Sequence, residues 1–405
     1  MLHRRCSARA CRSKTLLKLT PWLACSIMLL GWISGSLPCL RWCHRGLVVS
    51  SATWDAPLID SSAGTVYARC VPSTNLKSRN IPAEPRLAIV VPYPPKQASD
   101  VLEALHQWLS RAAECPEVPT PVDLFLLCSR DQASCLTMHM VETVLSVYRN
   151  ESIPPELVFS AVHLRFANLS AQADAYYFSF WRNRHISPGT ANLFYPLFAQ
   201  AGKLSSSENS ANVGYHPLGL AQDYDYFVWL EPDVYALLPC FLQMLHRHVA
   251  VHHPFWIMGS APMYQRRHGW VVWPHDHHIN GNAIYRLGDD CFTNGMIRQV
   301  AAAFPTEPFD SALQRWRMGV ARDAWWRTYA HLFVYTDWIR NYGDRVWCPA
   351  LVRASSPNTA MVHGRRRYAI KEEDCCTTIA GSNMHCHTSS SSTWPRASCF
   401  THEEL

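Results

Sequence analysis

The sequence has little charge, and it has no net charge outside its first 18 residues. Charged residues make up 17% of the 405 positions, whereas hydrophobic residues make up 48%. Basic residues outnumber acidic ones by 37 to 31, and six of the basic residues lie in the first 18. Removing those six leaves 31 basic residues against 31 acidic ones. Because a nucleic-acid-binding domain needs a basic surplus in its folded part, we expect no nucleic-acid partner. The apolar composition also excludes a disordered chain.

Internal repeats and paired-cysteine motifs are also absent. No period of about 20 to 50 residues recurs, which excludes a solenoid. The 16 cysteines include no CxxC or metal-knuckle spacing. Twelve of them lie from Cys43 onward, an even number that permits disulfides. Cys128 lies inside an apolar segment, and we expect it to be a buried free thiol.

An uncharged segment, residues 19–40, is long enough to cross a membrane as a helix. Six basic residues precede it, and only Arg41 and Arg45 follow closely, a difference that predicts a cytosolic N-terminus. We therefore predict a single-pass type II membrane protein with a luminal body, in the Golgi apparatus or endoplasmic reticulum. A cleaved signal peptide and an organelle transit peptide are the alternatives. Sequons at Asn150 and Asn168 are consistent with the secretory pathway.

The chain divides into five predicted regions. A basic cytosolic head (residues 1–18) and the membrane segment (19–40) precede a stem rich in Ser, Ala, Pro and Asn (41–84). The folded domain is predicted at residues 85–370. A tail rich in cysteine and serine follows at residues 371–405.

Three short apolar runs predict strands that are buried on both faces of a sheet. They are residues 87–91, 122–128 and 226–230. A helical pattern at residues 100–112 joins the first two runs, and strand-helix-strand units indicate an α/β fold. Further helices are predicted at 138–148, 192–202, 237–251, 311–318 and 321–335, and a short strand at 255–258. The predicted fold is therefore α/β, with a mixed sheet flanked by helices.

Two acidic residues, Glu231 and Asp233, directly follow the third apolar run. Ligands bind at the carboxyl ends of strands in open α/β sheets. Residues two apart in an extended segment point to the same side, so both carboxylates can reach one cation. Oxygen ligands of this kind suit Mg²⁺ or Mn²⁺, with water and a diphosphate in the remaining positions. The alternative is that the two acids only solvate a loop. Asp223 and Asp225 precede the strand and are interpreted as solvated turn residues.

These features together resemble the nucleotide-sugar-dependent glycosyltransferases of the GT-A fold. The resemblance depends on LAIVV, VDLFLLCSRD and YDYFVWLEPDV after a membrane anchor, and it covers about residues 85–370. It implies a GT-A-like (Rossmann-like) sheet in which Glu231 and Asp233 bind the metal. This sequence has Glu rather than Asp at the first of these positions.

The segment TAMVHGRRR, residues 359–367, resembles the C-terminal part of such enzymes. The resemblance implies that His363 is the third metal ligand and that Arg365 lies near phosphate. Gly364 would allow a phosphate to approach the main chain. A partly buried histidine at a strand end and a solvated basic turn are the alternatives.

A second segment, WPHDHHINGNAIY at residues 273–285, resembles the sugar-binding region of such enzymes. Asn280 and Asn282 can form hydrogen bonds with sugar hydroxyls, and His278 belongs to the same predicted binding loop. A zinc site formed by His275, Asp276, His277 and His278 is an alternative. The other alternative is that this segment is a polar surface loop.

Asp310 is the first candidate for a catalytic base, because an inverting transfer needs a carboxylate beside the acceptor hydroxyl. Asp289 and Asp337 are weaker candidates. The alternative for Asp310 is a helix N-cap. Asp131, at the end of the second strand, is expected to face the nucleotide.

The expected activity is transfer of a hexosyl or pentosyl group from a nucleotide diphosphate sugar. The acceptor is a hydroxyl of a glycan, glycoprotein or glycolipid, and the cofactor is Mn²⁺ or Mg²⁺. A non-catalytic luminal module that binds sugars or nucleotides and a metal-dependent hydrolase are the alternative functions.

Overall fold

The protein is described by a computed structural model over residues 85–118, 120–179, 184–199, 219–262, 278–320, 324–343, 347–364, 384–389 and 396–401. All of these residues lie within one unit of the chain, Ile59–Leu405. The predicted head, membrane segment and stem lie outside the described residues, as does most of the tail. No helix among the described residues is both long enough and apolar enough to cross a membrane.

The described residues form fourteen strands. In chain order they are β1 (Leu87–Tyr93), β2 (Val122–Cys128), β3 (Phe159–Phe166), β4 (Tyr177–Ser179), β5 (Arg184–Ile186), β6 (Tyr226–Trp229), β7 (Val234–Ala236), β8 (Ile257–Gly259), β9 (Ala283–Arg286), β10 (Phe333–Tyr335), β11 (Ile339–Gly343), β12 (Met361–Gly364), β13 (Met384–Ser389) and β14 (Arg396–Thr401).

Nine α-helices lie in the same described ranges. They are α1 (Ala98–Ala113), α2 (Met138–Val147), α3 (Pro155–Val158), α4 (Pro188–Phe194), α5 (Phe241–His252), α6 (Arg298–Ala303), α7 (Phe309–Val320), α8 (Ala324–Tyr329) and α9 (Pro349–Ser355). A π-helical segment, Cys291–Ile297, precedes α6.

A seven-stranded mixed sheet is the centre of the fold, with the strand order β10-β8-β9-β6-β1-β2-β3. Strands β6, β1, β2 and β3 are mutually parallel, whereas β9 is antiparallel to both β6 and β8. Every residue of β1 is buried, as expected of a strand with helices on both faces. The predicted α/β class with a mixed sheet flanked by helices is confirmed.

Alternate residues of β1 contribute to two hydrophobic cores, one on each face of the sheet. Ile89 and Val91 pack with Leu105 and Trp108 of α1. Ala88 and Val90 belong to the opposite core, which also contains Phe194, Trp229 and Phe309. The period of two along the strand therefore separates the two layers.

A second, three-stranded sheet, in the order β11-β12-β7, brings the C-terminal part of the described chain to the end of β6. Helix α1 fixes β7 from the side. The Gln107 side-chain amide donates to the carbonyl of Ala236 at 2.6 Å and accepts from its N–H at 2.9 Å. The Trp108 indole donates to the carbonyl of Val234 at 2.9 Å. The strand that follows the two acids is thus held rigidly.

Two predicted helices have different bounds in the structure. The helix predicted at 192–202 begins earlier, at Pro188, and gives way to a 3₁₀ turn, Tyr195–Phe198, that contains Pro196, because proline cannot continue the α-helical hydrogen bonds. The helix predicted at 321–335 is wrong at its end: Phe333–Tyr335 forms β10, which pairs with β8. Aromatic and β-branched residues fit a strand when a partner is available.

The expectation that Cys128 is a free thiol is wrong. Cys128 forms a disulfide with Cys135, because the 3₁₀ turn Gln132–Ser134 returns the chain to the end of β2. A second disulfide joins Cys115, after α1, to Cys240, before α5. The even number of later cysteines permitted disulfides, and these four residues form two of them.

Candidate functional site

Glu231 and Asp233 lie at the carboxyl end of β6, on a turn that leads into β7. The N–H of Val234 donates to the carbonyl of Glu231 at 3.1 Å, so residues 231–234 form a β-turn with Pro232 at its second position. Proline is favoured there because its φ angle is preset. The predicted position at the sheet edge is correct, but the two carboxylates converge through a turn rather than through alternation along a strand.

His363 reaches these acids because β12 pairs with β7. The antiparallel register places His363 opposite Val234, and the N–H of Gly364 donates to the carbonyl of Asp233 at 3.1 Å. His363 Nε2 lies 3.0 Å from Glu231 Oε2 and 3.3 Å from Asp233 Oδ1. One ligand atom from each of the three residues lies within 4.8 Å of the other two. The structure therefore brings together the three predicted metal ligands.

The negative charges of the two carboxylates favour the protonated form of the His363 imidazole. Burial by itself lowers the pKa of His363, but hydrogen bonds and charge from Asp233 and Glu231 outweigh it and raise the pKa to about 10. Without a metal, His363 therefore holds a proton that the two acids stabilise. A divalent cation between the same atoms would replace that proton.

Asn341 of β11 fixes the orientation of His363. Its Oδ1 lies 3.1 Å from His363 Nδ1, and its Nδ2 donates to the carbonyl and the hydroxyl of Ser260 at 3.3 and 2.5 Å. Because the Asn341 amide donates to Ser260, its oxygen faces the imidazole and accepts from Nδ1–H. Nε2 is thereby directed at the acids. Sequence analysis missed Asn341, since no local motif marks it.

Asn282 fixes Glu231 in a similar way. Its Oδ1 accepts from the N–H of Glu231 at 2.7 Å, and its Nδ2 donates to Glu231 Oε2 at 3.2 Å. The same Nδ2 and the Asn282 N–H both donate to Asn280 Oδ1 at 3.1 Å. Asn282 is fully buried. The side chain predicted to contact a sugar is therefore engaged with Glu231, one of the predicted metal ligands.

Half-buried Asp310 and buried His278 form a pair next to this asparagine turn. Asp310 Oδ2 accepts from the N–H of Gly281 at 3.2 Å and lies 3.5 Å from His278 Nε2, while Oδ1 accepts from the N–H of Ser311 at 2.7 Å. Burial raises the pKa of Asp310, but these contacts outweigh it and lower the pKa below its usual value. Asp310 is the second residue of α7, so it lies inside the first turn rather than at the predicted N-cap.

The acids and His363 line an open cleft of about 390 Å³ at the edge of the large sheet. The loop after β1, the start of α4 and the turn after β6 form its walls, and the lining residues include Pro92, Tyr93, Pro94, Lys96, Gln97, Tyr176, Thr190, Leu193, Trp229, Glu231, Pro232, Asp233, Gly343 and His363. Trp229 is fully buried, and its indole N–H has no hydrogen-bond partner among the described residues. This donor is therefore buried and has no surface exposed in the cleft.

Other predicted site residues have local roles or lie outside the described part. Asp131 is exposed and caps a 3₁₀ turn, where a hydrogen bond from Ser134 lowers its pKa. Asp225 accepts from the N–H of Arg86 at 2.9 Å, at the opposite end of β6 from the cleft, consistent with a turn residue. Arg365 lies outside the described residues, as do His275, Asp276 and His277 of the predicted zinc alternative.

The two weaker carboxylate candidates, Asp289 and Asp337, also have structural partners. Asp289 accepts from the N–H of Phe292 at 2.9 Å, and Asp337 accepts from the hydroxyl of Ser356 at 2.8 Å.

The structure gives a different reason for glycine at position 364 from the predicted approach of a phosphate. A Cβ at this position would lie 2.6 Å from Trp347 Nε1, so the close packing of an indole ring already requires glycine there.

Neither a protein-family model nor a curated protein sequence matches the chain. Solved structures to which it is similar include glycosyltransferases. Mouse xyloside xylosyltransferase 1, in its apo form, has a TM-score of 0.39 and 11% identity, over 70% of this chain and 99% of that chain. The galactosyltransferase LgtC, in complex with donor and acceptor sugar analogues, has a TM-score of 0.32 and 13% identity, over 73% of this chain and 95% of that chain. The apo bifunctional glycosyltransferase WbbM has a TM-score of 0.37 and 10% identity, over 69% of this chain and 45% of that chain. The function of this chain therefore has to be inferred from its own site.

Proposed function

We propose that this protein is a metal-assisted glycosyltransferase with a GT-A-like catalytic domain. The observation that carries the proposal is the convergence of Glu231, Asp233 and His363 on the wall of an open cleft. Two carboxylates and one imidazole form a donor set that fits a divalent cation. Because one ligand is nitrogen, Mn²⁺ fits better than Mg²⁺, which prefers oxygen.

The proposed donor is a nucleotide diphosphate sugar. When bound, the cation would neutralise the charge that develops on the diphosphate leaving group. Lys96 lies on the same cleft and adds a positive charge suited to phosphate. Asn282 and Asn341 keep Glu231 and His363 in position, so that the ligands need little rearrangement.

The proposed acceptor is a hydroxyl of a glycan, glycoprotein or glycolipid. The contacts of Asp310 favour a positioning role, because both carboxylate oxygens already accept main-chain hydrogen bonds that hold Gly281 and the start of α7. Its predicted role as a catalytic base remains to be tested. A pH–rate profile of an Asp310 variant separates the two roles.

We further propose that the chain is anchored in a Golgi or endoplasmic reticulum membrane through residues 19–40, with the catalytic domain in the lumen. The disulfides Cys115–Cys240 and Cys128–Cys135 support an oxidising compartment. The segment itself lies outside the described residues.

The test is a screen of nucleotide diphosphate sugars with the purified full-length protein, in Mn²⁺ and in EDTA. Hydrolysis or transfer of one donor should appear in Mn²⁺ and disappear in EDTA. Asp233→Asn should abolish the activity, whereas Asp225→Asn, at the other end of β6, should retain it. Activity that persists in EDTA or in the Asp233 variant would contradict the metal assignment. Binding of a donor without turnover would favour a non-catalytic module.

A further inference from the structure

A pair of histidines outside the cleft lies on one face of α5 (Phe241–His252). His248 and His252 are four residues apart, and their rings are nearly parallel, with centroids 6.2 Å apart and an interplanar angle of 11°. Residues at this spacing are neighbours on a helix surface. The zinc alternative considered from the sequence concerned residues 275–278 and did not include this pair.

The helix presents the two imidazoles at a fixed separation. Leu245 and Val249, on the inner side of α5, are fully buried in the core, so the main chain at the pair is anchored. His248 is half-buried and His252 is exposed. A half-buried and an exposed imidazole on one anchored turn leave solvent access to a shared ion.

The charges around the pair also suit a cation. Arg247, the basic residue next to His248, forms an ion pair with Glu117, with Nη2 of Arg247 2.7 Å from Oε2 of Glu117. Burial and the neighbouring His252 lower the pKa of His248, and the negative charge of Asp337 opposes them only in part. An imidazole coordinates a metal through a ring nitrogen that carries no proton.

We propose that His248 and His252 together bind one transition-metal ion of the Zn²⁺, Cu²⁺ or Ni²⁺ class, each through one ring nitrogen. Two histidines at i and i+4 on one helix face supply two of the zinc ligands in H-E-x-x-H sites, and imidazole ligands suit these ions better than Mn²⁺ or Mg²⁺. Water completes the coordination. This site differs in ligand type from the Glu231, Asp233 and His363 cluster, and it does not depend on the proposed transferase function.

The test uses Zn²⁺ alone as the probe, in equilibrium binding to the full-length protein. The double variant His248→Ala/His252→Ala should lose one bound Zn²⁺ per chain. Each single variant should bind that ion about 100-fold more weakly, because the second ligand no longer acts at high effective concentration. His139→Ala, which changes an exposed histidine of α2, is the matched control and should have no effect.

A second test measures whether the histidine pair binds metal independently of the Glu231, Asp233 and His363 cluster. Asp233→Asn should leave the zinc bound by the histidine pair unchanged, and the double histidine variant should keep any Mn²⁺-dependent activity. Cu²⁺ electron paramagnetic resonance should show two nitrogen ligands in the unaltered protein and one in His252→Gln, a change on the exposed surface that does not threaten folding. Unaltered zinc binding in the double variant, or an equal loss in His139→Ala, would overturn the proposal.

Discussion

Asn341 and His363 face each other across the parallel strands β11 and β12, with Oδ1 of Asn341 3.1 Å from Nδ1 of His363. Asn341 is 1% exposed, and its amide nitrogen is held by Ser260. The histidine nitrogen that faces the acids is therefore selected by a residue that does not itself contact the cleft.

Replacement of Asn341 by leucine should weaken Mn²⁺ activation by about 10- to 100-fold, the usual effect of losing a residue that orients a metal ligand. The activity at saturating Mn²⁺ should fall less, because the three ligands remain. Titration of the transferase activity with Mn²⁺ measures both quantities. The control is Asn294→Ala, which changes an exposed asparagine in the π-helical segment. An unchanged Mn²⁺ requirement in the leucine variant would contradict the orienting role.

Replacement of Asn282 by alanine should reduce both stability and metal affinity. The main-chain N–H of Glu231 would lose its acceptor at a partly buried position, which costs about 1–3 kcal/mol in the free energy of unfolding. Urea denaturation measures this loss. A double-mutant cycle with Glu231→Gln tests the functional link. If Asn282 acts through Glu231, the effects of the two changes on Mn²⁺ activation should be less than additive; additive effects would show that they act separately.

Asp310 should stabilise the protein except in acid. Its pKa in the folded state lies below the ordinary value of 3.8, so the unfolded chain takes up a proton first as the pH falls. The stabilisation is present above pH 3.8 and is lost as the pH falls through the folded-state pKa. Asp310→Asn should therefore be less stable than the unaltered protein at neutral pH, and the difference should shrink in acid. Denaturant unfolding at several pH values measures it.

The same variant separates the two roles of Asp310. If Asp310 positions the asparagine turn, Asp310→Asn should lower kcat without moving the acid limb of the pH–rate profile. Loss of that limb would instead identify Asp310 as the catalytic base.

Trp229→Phe should reduce the free energy of unfolding, because a smaller ring leaves a cavity in the core. The indole N–H is buried and has no surface exposed in the cleft, so the KM for the donor sugar should be unchanged. Urea denaturation and donor kinetics measure the two quantities, and Trp256→Phe, which changes another buried tryptophan of the same core, should behave in the same way. A rise in KM in the Trp229 variant alone would show that the indole N–H reaches the donor.

Much of the fold follows from local sequence patterns. Strands β1 and β6 are continuous apolar runs, β2 is apolar except for Asp123, and α1 repeats its buried residues at helical spacing. The position of Glu231 and Asp233 at a sheet edge also follows, because the end of an apolar run marks the end of a buried strand. Such signals are contained within about ten residues, so a single sequence is sufficient to detect them.

The completed site depends on contacts between distant segments. His363 meets Asp233 only because β12 pairs with β7, and Asn341 meets His363 only because β11 pairs with β12. Cys128 lies in a run that is typical of a buried strand, yet the turn after it brings Cys135 into bonding position. Phe333–Tyr335 continues a helical pattern but pairs with β8 as a strand.

The sequence by itself determined which segments are buried and where the two acids lie along the chain, since hydrophobic periodicity is a local property. Only the tertiary structure decided which residues orient them, because strand pairing joins positions between which no local pattern exists.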